Sequence, residues 1–160
     1  MGELRHTVAE LVTEVPFETF YETFMRLNEE LLVEKSDGKE IPSHQRFLRT
    51  LRRLDYPDSS ETAAIAEKLS LTHMDLLASA VEIPQHYAPF LAELAKQYQV
   101  AILSNFDHGA TARSILRRDG IFDFFDHVVV SDDHGWRKPH TKIFSDTLGL
   151  MDLGSSDVLY

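Results

Sequence analysis

Ser104 and Asn105 end an unbroken apolar run, Val100-Ala101-Ile102-Leu103, and Asp107, His108 and Gly109 follow them. A second polar group, Asp132-Asp133-His134-Gly135-Trp136-Arg137-Lys138-Pro139, lies just beyond the apolar run Val128-Val129-Val130. A hydroxyl, an amide and an ammonium suit a phosphoryl group, because the first two hydrogen-bond its oxygens and the third neutralises its charge. Two other chemistries use the same residues. Asp107 with His108, or Asp132, Asp133 and His134, offer metal-ligand types. The plainer readings are a helix N-cap for Asp107 and a solvated loop for the second cluster. Ser104 as a hydrolytic nucleophile needs a base and an orienting acid. His108 is near in sequence, but no G-x-S-x-G elbow surrounds Ser104. His6, His44, His73, His86, His127 and His140 form no readable pattern.

These side chains need elements to hold them. Uninterrupted apolar runs such as Val100–Leu103 and Val128–Val130 fit parallel strands buried on both faces. Ligands of an open α/β sheet bind beyond the carboxyl ends of its strands, so both polar loops would emerge at one edge. The helix expected over Ala110–Arg118 would aim its N-terminus there, and free N–H groups at a helix start suit an anion. Before it, Tyr87–Lys96 reads as a helix with Phe90, Leu91 and Leu94 inward. Beyond the polar Ser131–Lys138 loop, Thr141–Leu148 reads as a helix ended by Gly149 as its C′ residue. Asp157–Tyr160 reads as the start of a third strand. Strand and helix alternate from about Ile83-Pro84 onward, which means βαβ units and a parallel sheet.

The residues before that point read as helices and little else. Val8, Leu11, Val12 and Val15 share one face, and Pro16 belongs in the first turn of a new helix. Phe20, Phe24, Leu27 and Leu31 recur at steps of three and four. Lys35–Pro42 is a loop by its turn residues. Phe47, Leu48, Leu51 and Leu54 form the next apolar face, and Ser59 or Ser60 caps the helix carrying Ile65 and Leu69. Thr72 with Asp75 reads as a capping box for one more helix through Val81. Four or five helices make a small bundle. Phe20 and Phe24 read as core rather than as a substrate pocket. Arg46, Arg49, Arg52 and Arg53 read as a solvated face rather than an anion patch.

Composition narrows the function. The 160 residues carry a formal net charge of −10, which argues against general nucleic-acid binding. There is no cysteine, so disulfides, thiolate catalysis and Cys-type zinc sites are excluded. No apolar stretch approaches the roughly 20 residues that cross a bilayer, and the N-terminus carries no secretory h-region. A cytoplasmic protein without membrane or nucleic-acid partners is the expectation.

L-S-N-F-D-H-G, then a strand, then G-W-R-K-P-H-T-K-I-F resembles the second and third motifs of the haloacid dehalogenase superfamily. The preceding helices resemble that superfamily's inserted helical cap of the C1 type, so the resemblance covers essentially the whole chain. It implies an α/β fold: a partial Rossmann-like parallel sheet core over residues 83–160, plus an α-helical bundle cap over residues 1–82. It implies that Ser104 hydrogen-bonds the transferring phosphoryl group. Asn105 adds substrate or phosphate contacts, and Lys138 steadies the nucleophile and the charged intermediate. Most members are magnesium-dependent phosphatases acting through an aspartyl-phosphate, and a minority are 2-haloacid dehalogenases that use an aspartyl ester without metal. The implied ligand is a small phosphorylated, or halogenated, molecule.

The sequence departs from the family pattern at both ends. Nothing before Val8 resembles the D-x-D-G-T motif, and no apolar strand leads into Asp37-Gly38, the D-G pair nearest the N-terminus. The acidic fourth motif should follow a strand such as Val158-Leu159-Tyr160, where the chain stops. The nucleophile and the carboxylates that hold magnesium are therefore not expected within these residues. The sequence reads as an internal piece of a hydrolase, or as a truncated relative that serves as a binding or dimerisation module. In the family fold the first-motif strand is central, and its absence leaves backbone groups unpaired. A poorly stable chain, a homo-oligomer or a strand-donating partner, or a different pairing of the chain's own strands is the corresponding expectation.

Overall fold

Phe20, Phe24, Leu27 and Leu31 are all buried on one face of helix α2 (Phe17–Glu34), as their spacing requires. In the computed structural model of the chain, residues 2–34 and 37–160 are described. Lys35 and Ser36, which open the expected Lys35–Pro42 loop, lie outside the described residues. The chain divides into two compact units. One contains α1 (Gly2–Leu11), α2, α3 (Ser43–Arg53) and α4 (Ser60–Ala80). The other contains Asp37–Glu40 and Val81–Tyr160.

The helical unit is built around aromatic stacking. The rings of Phe24 and Phe47 lie 4.8 Å apart, Phe20 stacks on Phe47 at 6.4 Å, and His73 meets Phe47 edge-on at 5.8 Å. Val8, Val12, Leu51, Ala66 and Leu69 complete this core. Pro16 precedes α2 by one residue, and its carbonyl accepts the first helical bond from the Phe20 N–H at 3.0 Å. It therefore sits at the N-cap and not inside the first turn. Ser59 caps α4 by accepting from the Thr62 N–H at 3.2 Å. The expected break at Thr72 does not occur. Ala66, Leu69, Ser70 and Met74 form one buried stripe, which carries α4 through Thr72 and Asp75 as a single helix of 21 residues. Arg52 and Arg53 are exposed and pair with Asp58 and Glu30. Arg46 is not part of a solvated face: it donates to the Asn28 side chain at 3.1 Å and lies over the Phe24 ring.

The second unit alternates as expected: α5 (Tyr87–Leu94), β1 (Ala101–Ser104), α6 (Gly109–Arg118), β2 (His127–Val130), α7 (Ser131–His134) and α8 (Thr141–Met151), with a short 3-10 turn over Phe122–Phe124. The strands pair in parallel, from Ala101 opposite His127 to Ser104 opposite Val130. Several details differ from expectation. β1 is half-buried rather than buried on both faces, because the described sheet has only these two strands. Residues 157–160 form no strand: a strand needs a ladder partner, and Leu159 and Tyr160 are 102% and 81% exposed. No residue of α5 is fully buried; Leu91 and Leu94 are half-buried, while Phe90 is 57% exposed. Ser131–His134 is a single helical turn, not an open loop. α8 runs through Gly149 because Ile143, Thr147 and Met151 continue its buried stripe, and Asp152, at φ 54°, ends it. No helix among the described residues is long and apolar enough to cross a membrane.

Candidate active site

Ser104 is the last residue of β1, and its ladder partner Val130 is the last of β2, so both following loops leave from one sheet edge. Asn105 then reaches across that edge. Its Nδ2 donates to the Lys138 carbonyl at 2.9 Å, and its Oδ1 accepts from the Lys138 N–H at 2.7 Å. A side-chain amide reproduces here the paired bonds of a strand ladder and fixes Lys138 beside β1. One Nδ2 hydrogen of Asn105 is left over. Among the described residues the Ser104 hydroxyl makes no hydrogen bond and the Lys138 ammonium has no carboxylate partner. The ammonium lies 5.3 Å from the centre of the Tyr160 ring. The bond between Lys138 and Pro139 is cis.

The start of α6 is arranged differently from the sequence reading. His108, not Asp107, is its N-cap: the His108 Nδ1 accepts from the Thr111 N–H at 3.3 Å. The Gly109 N–H donates to Asp132 Oδ2 at 2.8 Å. A protein carboxylate thus holds the place where an anion was expected. Asp133 accepts two bonds from Arg113, at 2.6 and 3.2 Å, and that hydrogen bonding raises the arginine above its ordinary value. Gly109 has no room for a side chain, because a Cβ there would run into the Asp133 carboxylate. Asp132 and Asp133 are therefore tied to α6, Asp133 while still exposed to solvent. The His108 Nδ1 is engaged with Thr111, so it offers no base to Ser104 at that nitrogen.

His134 and Lys142 both contact Asp146, at 2.9 and 2.8 Å. The Lys142 hydrogen bond foremost, and His134 after it, hold the Asp146 carboxyl below its ordinary value. His140 caps α8 by accepting from the Lys142 N–H at 3.1 Å and stacks on Trp136 at 4.0 Å. These histidine roles carry no sequence spacing that could reveal them. Magnesium takes oxygen ligands, mostly carboxylates. Among the described residues no group of three or more histidine, aspartate or glutamate side chains is placed to hold a metal ion. With Asp132 and Asp133 committed to α6, the described residues do not fit a magnesium cage.

Sequence reasoning also missed Gly38, Lys39 and Glu40, which lie against the loop that carries Lys138. Gly38 has φ +85°, and a Cβ on it would stand 2.6 Å from the His140 Cβ. Glycine is required there on both counts.

Residues 4–160 match the family model described as a haloacid dehalogenase-like hydrolase. A glyceraldehyde 3-phosphate phosphatase of Pyrococcus abyssi is 30% identical over 145 residues, covering 91% of this chain and 56% of the relative. The enzyme of the same name from Pyrococcus furiosus is 31% identical over 134 residues, covering 84% and 51%. The chain spans about half the length of the curated relatives it matches. In structure it is similar to a 2-haloacid dehalogenase from Pseudomonas syringae, with TM-score 0.68 and 22% identity over 95% of this chain and 64% of that one. It is also similar to the Bacillus subtilis protein YfnB, described as a HAD-hydrolase bound to magnesium, with TM-score 0.57 and 21% identity over 96% and 65%. At these identities the likeness shows the fold, an α/β unit with a helical one.

Proposed function

The chain belongs to the haloacid dehalogenase-like hydrolase family, and from that premise we propose that it carries the phosphate-binding part of a phosphatase acting on a small phosphorylated metabolite. One observation carries the reading: Asn105 fixes the Lys138 backbone at the sheet edge where Ser104 ends β1, and neither the Ser104 hydroxyl nor the Lys138 ammonium has a hydrogen-bond or carboxylate partner among the described residues. In this reading Ser104 donates a hydrogen bond to a phosphoryl oxygen, Lys138 neutralises its charge, and Asn105 holds Lys138 with one amide hydrogen left for the ligand. Residues 83–160 together with residues 37–40 are the catalytic core piece, and the remaining residues are the cap. The attacking carboxylate is not among the residues described, so this chain by itself is catalytically incomplete. Magnesium enters only as the cofactor of the family reading, because no described group of three or more carboxylate or histidine side chains is placed to hold it. The unpaired edge of β1 supports pairing with a further strand, from a second copy of the chain or a strand-donating partner. We place the protein in the cytoplasm.

The name shared by the two Pyrococcus relatives favours a phosphorylated ligand over a halogenated one, and glyceraldehyde 3-phosphate is the first compound to try. Calorimetric titration of the chain with inorganic phosphate, and separately with 2-chloropropionate, tests the reading. Phosphate binds saturably. Lys138→Ala weakens it by about tenfold to a hundredfold, the worth of one charge-assisted bond, and Ser104→Ala weakens it less. Equal phosphate affinity in the wild type and Lys138→Ala, or binding of the haloacid alone, would refute it.

A further inference from the structure

We propose that Glu40 is a positioning residue for Lys138, acting through the loop that joins β2 to Lys138; the inference rests on the phosphate-binding reading of Lys138. Glu40 is far from that loop in sequence, yet its side chain is only 2% exposed and lies against it. A carboxylate this deeply buried is costly unless bonded. Ser131, the first residue after β2 and itself fully buried, donates to Glu40 Oε2 at 2.6 Å. The same hydroxyl lies 3.2 Å from the carbonyl of Phe106, the residue after Asn105. A hydroxyl has one proton, and the shorter contact takes it. The Arg137 Nε stands 3.9 Å from the same Glu40 oxygen.

The backbone around Glu40 completes the hold. The Glu40 N–H donates to the Gly135 carbonyl at 3.0 Å, and the Arg137 N–H donates to the Gly38 carbonyl at 2.8 Å. Lys39 and Trp136 form an antiparallel bridge between these two bonds. The loop from Ser131 to Lys138 is thus fastened at its root by the Glu40 carboxylate, at its middle by residues 38–40, and at its end by Asn105. Only the last of these lies in a motif that the sequence made visible. Loss of the Glu40 carboxylate frees the root and the Arg137 side chain together, so the strap over Gly135–Arg137 loosens and Lys138 is held only by Asn105 and the backbone bonds of residues 38–40.

Amide hydrogen exchange on the full 160-residue chain tests this without requiring activity. In Glu40→Ala the Arg137 and Lys138 amides exchange about tenfold faster or more, while Leu51 and Leu69 in the helical unit keep their rates. Glu40→Gln keeps an acceptor for Ser131 and restores both rates to within about threefold of wild type. Should Glu40→Ala fail to fold, Ser131→Ala removes the same bond and carries the same expectation. Titration with inorganic phosphate runs alongside, and its affinity falls in the variants whose Lys138 amide is deprotected and recovers in Glu40→Gln. Unchanged exchange at Lys138, or a uniform acceleration across the whole second unit, overturns the proposal, the latter because it makes Glu40 a general stabiliser. If wild-type chain binds no phosphate, the functional reading of Lys138 fails, and the exchange rates still decide whether Glu40 holds the loop.

Discussion

Asn105 spends both ends of its amide on the backbone of one residue, and this decides what Lys138 can do. A lysine side chain has a long flexible stem, so fixing its backbone limits the volume its ammonium can sweep. Asp146 plays a comparable part on the far side of the loop, where it accepts from Lys142 and His134. Its carboxyl lies below an ordinary value of 3.8, with the Lys142 bond the largest cause and the His134 bond adding to it. A depressed aspartate stabilises the fold fully above its unfolded value and loses that contribution as pH falls through the folded value. Stability of the second unit should therefore decline on acidification below about pH 4. Asp146→Asn should remove part of that decline and leave the slope near neutrality unchanged, as read by urea denaturation at a series of pH values. An acid limb identical in the variant would show that the Asp146 contacts do not persist in solution. None of this was legible in the sequence, because His134, Lys142 and Asp146 look like ordinary surface residues until α7 and α8 bring them together.

At the scale of elements, the helices and the two strands were legible because their signals are local. Phe20, Phe24, Leu27 and Leu31 announce α2 by spacing alone, and Val128–Val130 announces β2 by an unbroken apolar run. Phe47 is the residue on which α2 and α3 converge, with Phe20 and Phe24 both stacked against it. Phe47→Ala should cost about 3–5 kcal/mol, the range for removing a fully buried aromatic side chain. Chemical denaturation followed by circular dichroism measures this, and a loss under about 1 kcal/mol would mean that the aromatic stack is not the core. The errors arose where a local signal was overruled by its neighbours. Thr72 and Asp75 look like a cap, but the buried stripe of α4 continues beneath them. Asp157–Tyr160 looks like a strand, but has no partner to pair with among the described residues. Glu40 and Ser131 stand 91 positions apart, and no local pattern marks either as the other's partner.

Over the whole molecule, at least two places among the described residues carry basic side chains that could draw an anion. One is the sheet edge of Ser104, Asn105 and Lys138. Another is a hollow of about 260 Å³ in the helical unit, lined by Leu27, Glu30, Leu31, Arg49, Arg52 and Arg53. In that hollow Arg53 is matched by Glu30, and nearby Arg52 by Asp58, which offsets the attraction. With a net charge of −10 the chain as a whole repels anions, so binding has to come from a local site. The central claim is that the local site is the sheet edge. An NMR titration with inorganic phosphate, observing backbone amides together with lysine side-chain Cε signals, tests it most directly. The account predicts that Ser104, Asn105 and Lys138 shift together along one binding curve. Shifts gathered instead on Arg49, Arg52 and Arg53, with Ser104 and Lys138 unmoved, would contradict it.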